Sequence, residues 1–376
     1  MSINFKTRPV NNNSVVAKPA APISVESYKY GPRLTFVQYN NIIEQNIEHL
    51  NHSRSEAAKI QGEKFIASVL DDEICMQMPG VAIIGTYLRR KHGLANLFVC
   101  ASMEAFQNKL NEISRMKGNI RMAMIVPGWT MPGSTKVEAE HKIPICVEKI
   151  GHEVKIAFLD SLGCDPSDEI DSFYQNANDL EEGLETVLHY IHNSSLDKKN
   201  TQVYCCSVDR QRQDFGCETF SLKDAVSFLR DPHFFDKIVT TPLQVESKNN
   251  QMTFFEIHLL PPSFMKGTQS FKKLDCYFIM YPITQASEEL KDDPELQQEI
   301  AKVKQSINNH IIHISYENDP TKNGTEIQNH YNQHRSLKYH LILLNALKST
   351  PAKELQAIIS ETLLETRRPF SIRALL

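Results

Sequence analysis

One stretch, Gln202 to Arg230, constrains this chain more than any other. Gln202-Val-Tyr-Cys-Cys-Ser-Val208 is rich in strand formers, and the polar loop from Arg210 ends in a glycine and a thiol, Gly216 and Cys217. From Glu218 to Arg230 the spacing predicts a helix, with Phe220, Ala225, Phe228 and Leu229 on one side. The order is strand, loop, cysteine, helix. Unpaired amides and the positive dipole end at a helix N-terminus stabilise thiolate over thiol, which makes such a cysteine nucleophilic near neutral pH. Gly216 lets the backbone pass close to whatever the sulfur attacks. An isolated cysteine is more often a buried structural group. The weight therefore falls on whether the chain also holds a base and a group to orient it.

Two neighbouring strands supply both. In His141-Lys-Ile-Pro-Ile-Cys-Val147 the residues His141, Ile143, Ile145 and Val147 share a face at period two, as do Val154, Ile156, Phe158 and Asp160 in the next segment. An antiparallel hairpin turning between Ile150 and Gly151 would pair Val147 with Val154, Ile145 with Ile156, Ile143 with Phe158, and His141 with Asp160. Directly opposed residues share a face at about 4.5 to 5.5 Å between Cβ atoms, so imidazole and carboxylate would stand side by side. The plain alternative is a surface His-Asp pair at a strand end. Pro144 removes a ladder donor and predicts an edge position for its strand. Gln211, six positions before Cys217, can donate its side-chain amide to the oxyanion formed when a thiolate attacks a carbonyl, beside the Cys217 N–H. Gln213 could serve instead.

Composition narrows the class. A chain of 376 residues holds one large domain or two unequal ones. No apolar run approaches the roughly 18 residues that span a bilayer. The eight cysteines show no Cys-x-x-Cys spacing, and adjacent Cys205 and Cys206 would face opposite sides of a strand, which argues against zinc or a disulfide scaffold and for a reducing compartment. His330 and His334 have the i, i+4 spacing of helical metal ligands, but no third ligand is evident. A net charge of −4 argues against non-specific nucleic-acid binding. Residues 1–28 are rich in Asn, Ser, Val and Pro without an apolar core, so they read as a disordered arm and not as a cleaved signal peptide.

Elsewhere the pattern predicts a helix over Glu56–Leu70, a strand over Asn119–Val126 ending at Pro127-Gly128, and helix from Asp168 to Asn193. Helix is also expected from Pro294, capped by Asp293, and from about Pro351 to Thr366, capped by Thr350. Glu317–Thr325 reads as a turn or loop. Helices alternate with a mixed sheet, and the class is α+β.

The order His, Asp, then Gln and Cys opening a helix resembles the ubiquitin-like-protease superfamily of cysteine enzymes, and within it the YopJ family of bacterial effector acetyltransferases. Leu259-Leu-Pro-Pro-Ser-Phe-Met-Lys-Gly-Thr-Gln-Ser270 is similar to that family's Leu-Pro-x-x-Phe-x-Lys-His-Thr-Gln-Ser stretch. Met78-Pro79 with Tyr87 to Leu97 resembles the segment upstream of its catalytic His. The likeness runs over roughly residues 40 to 345. Two positions depart from it: the acidic triad member, commonly Glu, is Asp160, and the His after the motif lysine is Gly267.

The resemblance implies a cysteine-protease-like catalytic body over residues 29–250 and a regulatory lobe over 251–376, completed by part of the N-terminal region. It implies acetyl-coenzyme A as donor, His141, Asp160, Cys217 and Gln211 as the catalytic set, and ping-pong transfer to Ser, Thr or Lys of host proteins, kinases of immune signalling among them. It also implies activation by inositol hexakisphosphate, for which Lys266, Lys272, Lys273, Arg335, Lys338, Arg89 and Arg90 are the expected cations, and delivery into the host cell by a contact-dependent system, with the arm as export signal. Two other readings fit the same residues: a cysteine isopeptidase acting on ubiquitin-like conjugates, if water is the second nucleophile, and a host-binding decoy with a vestigial triad.

Overall fold

The computed structural model describes residues 32–71, 75–128, 141–175, 183–211, 216–245, 251–284, 294–316 and 325–365. The expected N-terminal arm, Gln213 and Asp293 lie outside them. The chain opens with β1 (Arg33–Thr35), α1 (Phe36–Gln61), α2 (Glu63–Val69), α3 (Met78–His92), β2 (Leu97–Cys100) and α4 (Met103–Arg115). Next come β3 (Ile120–Pro127), β4 (Lys142–Ile150), β5 (Glu153–Phe158), α5 (Pro166–Gln175), α6 (Leu184–His192), β6 (Thr201–Cys206) and α7 (Cys217–Arg230). Then come α8 (Phe234–Lys237), β7 (Val239–Leu243), β8 (Thr253–Leu259), α9 (Pro262–Met265), α10 (Phe271–Thr284) and α11 (Pro294–Asn308). Last are β9 (Ile311–Ser315), β10 (Thr325–Asn329), α12 (Tyr331–Ser349), α13 (Ala352–Ser360) and β11 (Leu363–Leu364). Among the described residues no helix is long and apolar enough to cross a membrane.

Eight strands form one mixed sheet in the order β11-β2-β3-β4-β5-β6-β8-β7, as the α+β class requires. Side chains alternate across it. Ala123, Ile125, Cys146, Ala157 and Cys206 face one core with α3 and α7, while Met122, Met124, Ile145, Ile156 and Cys205 face another with α4, α5 and α6. Cys205 and Cys206 do point to opposite sides. A second sheet, β1-β9-β10, joins the start of the described chain to its C-terminal third.

The sequence-based boundary at 250/251 falls between β7 and β8, which are hydrogen-bonded neighbours in the main sheet. Because β8 also pairs with β6, a cut there would open the sheet, and the C-terminal block is woven into the catalytic body. The Asp168–Asn193 helix is two helices, α5 and α6, and Phe173, Leu184, Val187, Leu188 and Ile191 are buried between them and the sheet. The final helix begins at Ala352 with Pro351 as cap and stops at Ser360. Pairing of β11 with β2 claims Leu363 and Leu364, and a ladder position outweighs local helix propensity.

The β4–β5 hairpin differs from expectation in an instructive way. Ile145 pairs with Phe158, Val147 with Ile156 and Ile150 with Glu153, two residues off the predicted register. The turn is the two-residue loop Gly151-His152, with Gly151 at φ 61°, a conformation that two-residue hairpins favour and glycine adopts cheaply. Hydrophobic partners alone would favour the expected register, since the observed one sets Val154 opposite Lys149, and the two-residue turn decides against it. A slip of two preserves the face of every side chain, whereas a slip of one would have separated His141 from Asp160.

Pro144 is not on an edge strand, because β4 pairs with both β3 and β5. Its carbonyl still accepts the Leu159 N–H at 3.2 Å. The missing Pro144 donor leaves the Leu159 carbonyl without its ladder partner, and the Arg210 guanidinium donates to that oxygen at 3.2 Å.

Candidate active site and a cationic cavity

Cys217 opens α7, with Gly216 before it at φ 98°, a left-handed conformation suited to glycine. The Gly216 carbonyl accepts from the Thr219 and Phe220 amides, which starts the helix at the sulfur. One turn on, Ser221 Oγ donates to the Lys142 carbonyl at 2.6 Å, tying α7 to the strand that begins beside His141. Gly128 donates its N–H to the His141 carbonyl at 2.7 Å. A Cβ there would stand 2.4 Å from the Ile143 side chain, so this close approach demands glycine.

His141 Nε2 lies 2.7 Å from Asp160 Oδ1. The same carboxylate oxygen accepts the Leu162 N–H at 2.9 Å, which fixes its direction. Both side chains are buried, and His141 also hydrogen-bonds Cys217. With Nε2 held by Asp160, Nδ1 is left for the sulfur. Burial disfavours the imidazolium, but hydrogen bonds to Asp160 and Cys217 and the charges of both outweigh it, and His141 is raised to about 10. Together these partners favour the protonated ring over the neutral one.

Gln211 is buried on the same side of the fold. Its backbone N–H donates to the Ser161 carbonyl at 2.8 Å, and its side-chain oxygen accepts the Ser161 hydroxyl at 2.7 Å. Ser161 follows Asp160 directly, so one short turn orients the carboxylate and the amide together. With the oxygen end held, the NH2 end of Gln211 is turned the other way.

Three residues here had no prominence in the sequence. Arg210 is buried, with Nη1 2.7 Å from Asp224 Oδ2 on α7 and Nη2 on the Leu159 carbonyl. Its own carbonyl accepts the N–H of Gln269 from the Leu-Pro-Pro motif stretch. One residue thus joins the end of β5, the helix that Cys217 opens and the motif. Glu218 places Oε2 3.6 Å from the Cys217 sulfur. Lys223 is half-buried and donates to the Phe264 carbonyl at 3.0 Å. Spacing could not flag Arg210 and Lys223, because both meet partners far away in sequence.

On the far side of α7 lies a cavity of about 610 Å3. Lys91, Lys223, Arg230, Lys237, Lys266, Lys302, Arg335 and Lys338 line it, with Asp231 and Glu299 as the acidic exceptions. Lys237 pairs with both acids, at 3.0 and 3.5 Å. Burial, opposed by Asp224 and reinforced by Arg210, Lys266 and Arg335, lowers Lys223 to about 7. Burial also lowers Lys266, and burial with the charges of Arg335 and Lys91 lowers Lys338. These cations crowd one another in a space that a polyanion would neutralise.

Of the cations expected to meet a polyanion, Lys266, Arg335 and Lys338 line the cavity, and four do not. Lys273 is exposed and pairs with Asp209, and Lys272 is exposed on the same helix. Arg90 pairs with Glu361, and Arg89 donates to the Glu361 carbonyl and lies 5.5 Å from the Phe98 ring. On α3, Arg89 and Arg90 point to the α13 side, while Lys91 and His92 turn to the cavity.

Comparison with known proteins follows this geometry. Residues 81–289 match the family model described as YopJ Serine/Threonine acetyltransferase. No curated protein matches the sequence. Among solved structures, the chain is similar to AvrA delL154 with IP6 and CoA, at 14% identity and a TM-score of 0.47, covering 77% of this chain and 98% of that one. It is similar at the same identity and TM-score to HopZ1a in complex with IP6 and CoA, covering 81% of this chain and 97% of that one. The family match covers more than half of the sequence and includes His141, Asp160 and Cys217, and the chain belongs to the YopJ family of serine/threonine acetyltransferases.

Proposed function

We propose that this acetyltransferase works by ping-pong transfer through an acetyl-Cys217 enzyme. The observation that carries the reading is the buried His141–Asp160 contact at 2.7 Å beside a thiol that opens a helix. His141 takes the Cys217 proton, and the sulfur attacks the thioester carbonyl of acetyl-coenzyme A. The amide of Gln211 and the Cys217 N–H receive the oxyanion; the carbon–sulfur bond to coenzyme A breaks and the leaving thiolate takes the proton from His141. A Ser, Thr or Lys side chain of a host protein then attacks the acetyl-enzyme, its proton passing through His141 to the Cys217 sulfur as that bond breaks. Asp160 holds the imidazole in one orientation throughout.

The cationic cavity is the proposed site of inositol hexakisphosphate, since converging Lys and Arg side chains match a compact polyanion. α7 carries Cys217 at its start and Lys223 and Arg230 in the cavity wall, so filling the cavity would bear directly on the helix that presents the nucleophile. The same reading makes the protein an effector delivered into a host cell, where that polyanion is present.

Incubation with labelled acetyl-coenzyme A, with and without inositol hexakisphosphate, tests this. Intact mass should show an acetyl adduct that Cys217→Ala lacks, and transfer that rises with the polyanion. Cleavage of ubiquitin conjugates with the label unused would replace the reading by the isopeptidase.

A further inference from the structure

The peptide that joins Gly216 to Cys217 has a polar group at each end, and the two cannot move separately. A trans peptide is planar, so its carbonyl and its N–H point in opposite directions and turn together. The Gly216 carbonyl accepts the Thr219 and Phe220 amides at 3.0 and 3.1 Å. A third donor comes from outside the helix: Asn332 Nδ2 of α12, at 3.5 Å. That is long for a hydrogen bond, but the approach is close, since a Cβ on Gly216 would stand 3.0 Å from the same nitrogen. Asn332 is buried, and among the described residues its Oδ1 has no hydrogen-bond partner. An amide kept buried with an unmet acceptor costs stability, which points to a role other than holding the fold together.

Its neighbours fix its place. The Tyr331 N–H donates to Asn329 Oδ1 at 3.1 Å, and Asn329 Nδ2 donates to the carbonyls of Lys266 and Thr268 in the motif stretch at 2.8 and 2.9 Å. Tyr331 lines the cation cavity, with its ring 5.6 Å from the Lys223 amine and 5.4 Å from the Arg335 guanidinium. The first turn of α12 thus meets the cavity with Tyr331 and the nucleophile's own peptide with Asn332. Resting on the acyl-transfer reading above, we propose that Asn332 is a positioning residue of the oxyanion site: by bearing on the Gly216 carbonyl it aims the Cys217 N–H at the oxygen that turns negative as the sulfur attacks. This N–H opens α7 and has no partner within the helix, so its direction depends on what holds the other end of its peptide. The two helical amides approach that carbonyl from one side only, and Asn332 adds a restraint from a different element. A donor aimed beforehand stabilises the oxyanion without reorganising during the reaction.

The test sets attack on a carbonyl against attack on an alkyl halide, because only the first creates an oxyanion. With inositol hexakisphosphate present, acetyl-enzyme formation from acetyl-coenzyme A is followed by intact mass, and alkylation of Cys217 by iodoacetamide is followed on the same preparations. Asn332→Leu, which fills much the same space without a donor, and Asn332→Ala should each slow acetyl-enzyme formation about tenfold or more, a part of the roughly 10² to 10³ lost when an oxyanion donor is deleted outright. Alkylation should stay close to the wild-type rate, and melting temperatures should show both proteins folded. Acetyl loading at the wild-type rate, or loading and alkylation that fall together, would make Asn332 a packing residue and overturn the assignment while leaving the acyl-transfer reading intact. If wild-type Cys217 is alkylated but takes no acetyl, that reading falls and this one with it.

Discussion

The proposed catalytic cluster and the cationic cavity lie on two sides of one helix, yet they are built in opposite ways. His141 and Asp160 close a single hairpin, and Cys217 opens the helix that packs across β3 and β4. The cavity draws on α3, α7, the turn after α9, α11 and α12, elements spread over some 250 residues. The first is short-range, buried and dominated by hydrogen bonds; the second is long-range, half open and dominated by like charge. A local cluster tolerates little change in any member, whereas a cavity of eight cations shares its work. Predictions that set single substitutions against grouped ones will break or sharpen this contrast.

Cys217→Ala should show the largest effect. Loss of the thiol proposed to carry the acyl should reduce transfer by at least about 10⁴-fold, by analogy with nucleophile deletions in serine enzymes. Its melting temperature should stay within a few degrees of wild type. Labelled transfer and thermal unfolding on the same preparations check both; full activity would remove the covalent intermediate.

Asp160→Asn should follow, at roughly 10² to 10⁴ in kcat, because an amide at 2.7 Å from Nε2 favours the wrong imidazole tautomer while filling the same space. The pH profile adds a readout that packing alone would not move. His141 is raised to about 10 from a reference value of 6.5, so its pairing stabilises the fold fully below about pH 6.5 and loses that contribution as pH rises toward 10. Asp160→Asn should flatten this fall in melting temperature between pH 7 and 10. An unchanged slope would mean that the imidazolium owes its stability to another group.

These two sites differ also in how far they could be read from sequence. The His141–Asp160 contact was legible because period-two patterning fixes faces, and the register difference of two residues left every face intact. Of the expected cations, Lys266, Arg335 and Lys338 line the cavity, whereas Lys272, Lys273, Arg89 and Arg90 share with them only charge and nearness in sequence. Lys91, Lys223, Arg230, Lys237 and Lys302 escaped because helix rotation and the packing of distant helices decide which cations converge. Arg210 escaped for a related reason. Nothing local announces that a loop arginine will replace the N–H that Pro144 lacks.

Arg210 therefore offers a test between the two sites. Arg210→Met strands Asp224 in a fully buried position, which should cost on the order of 3 to 5 kcal/mol. The double substitution Arg210→Met with Asp224→Leu should recover much of that, since apolar replacement of a buried pair is often neutral. It should not recover kcat, because the Leu159 carbonyl beside Asp160 still lacks its donor. Restoration of both would make Arg210 a structural residue only.

Grouped cavity substitutions should act on ligand response more than on the fold. Wild type should gain about 2.7 kcal/mol of apparent stability at a hundredfold excess of inositol hexakisphosphate over its dissociation constant. Lys266, Arg335 and Lys338 changed together to Gln should lose most of that shift. The matched group Arg89, Arg90, Lys272 and Lys273, all to Gln, should keep it. Equal loss in both would mean that surface charge, not the cavity, governs binding.

The smallest effect is a single proton. Lys223 sits at about 7 against a reference value of 10.5, so below pH 7 its buried charge burdens the fold, and the burden lifts as pH rises from 7 toward 10.5. The sign is opposite to that of His141 over the same window. At pH 8 Lys223 is mostly neutral in the empty cavity; a bound polyanion supplies the countercharge that burial denies it, and the amine takes up a proton. Titration calorimetry at pH 8, in buffers of different ionisation enthalpy, should report uptake approaching one proton per inositol hexakisphosphate. The value should shrink at pH 6, where Lys223 is already charged, and most of it should vanish in Lys223→Met. Uptake that survives this substitution would move the titrating group to Lys266 or Lys338, both also lowered by burial among like charges. It would then separate the cavity from the helix that carries Cys217, because Lys223 is the cavity cation whose side chain also reaches the Phe264 carbonyl between α7 and the motif turn.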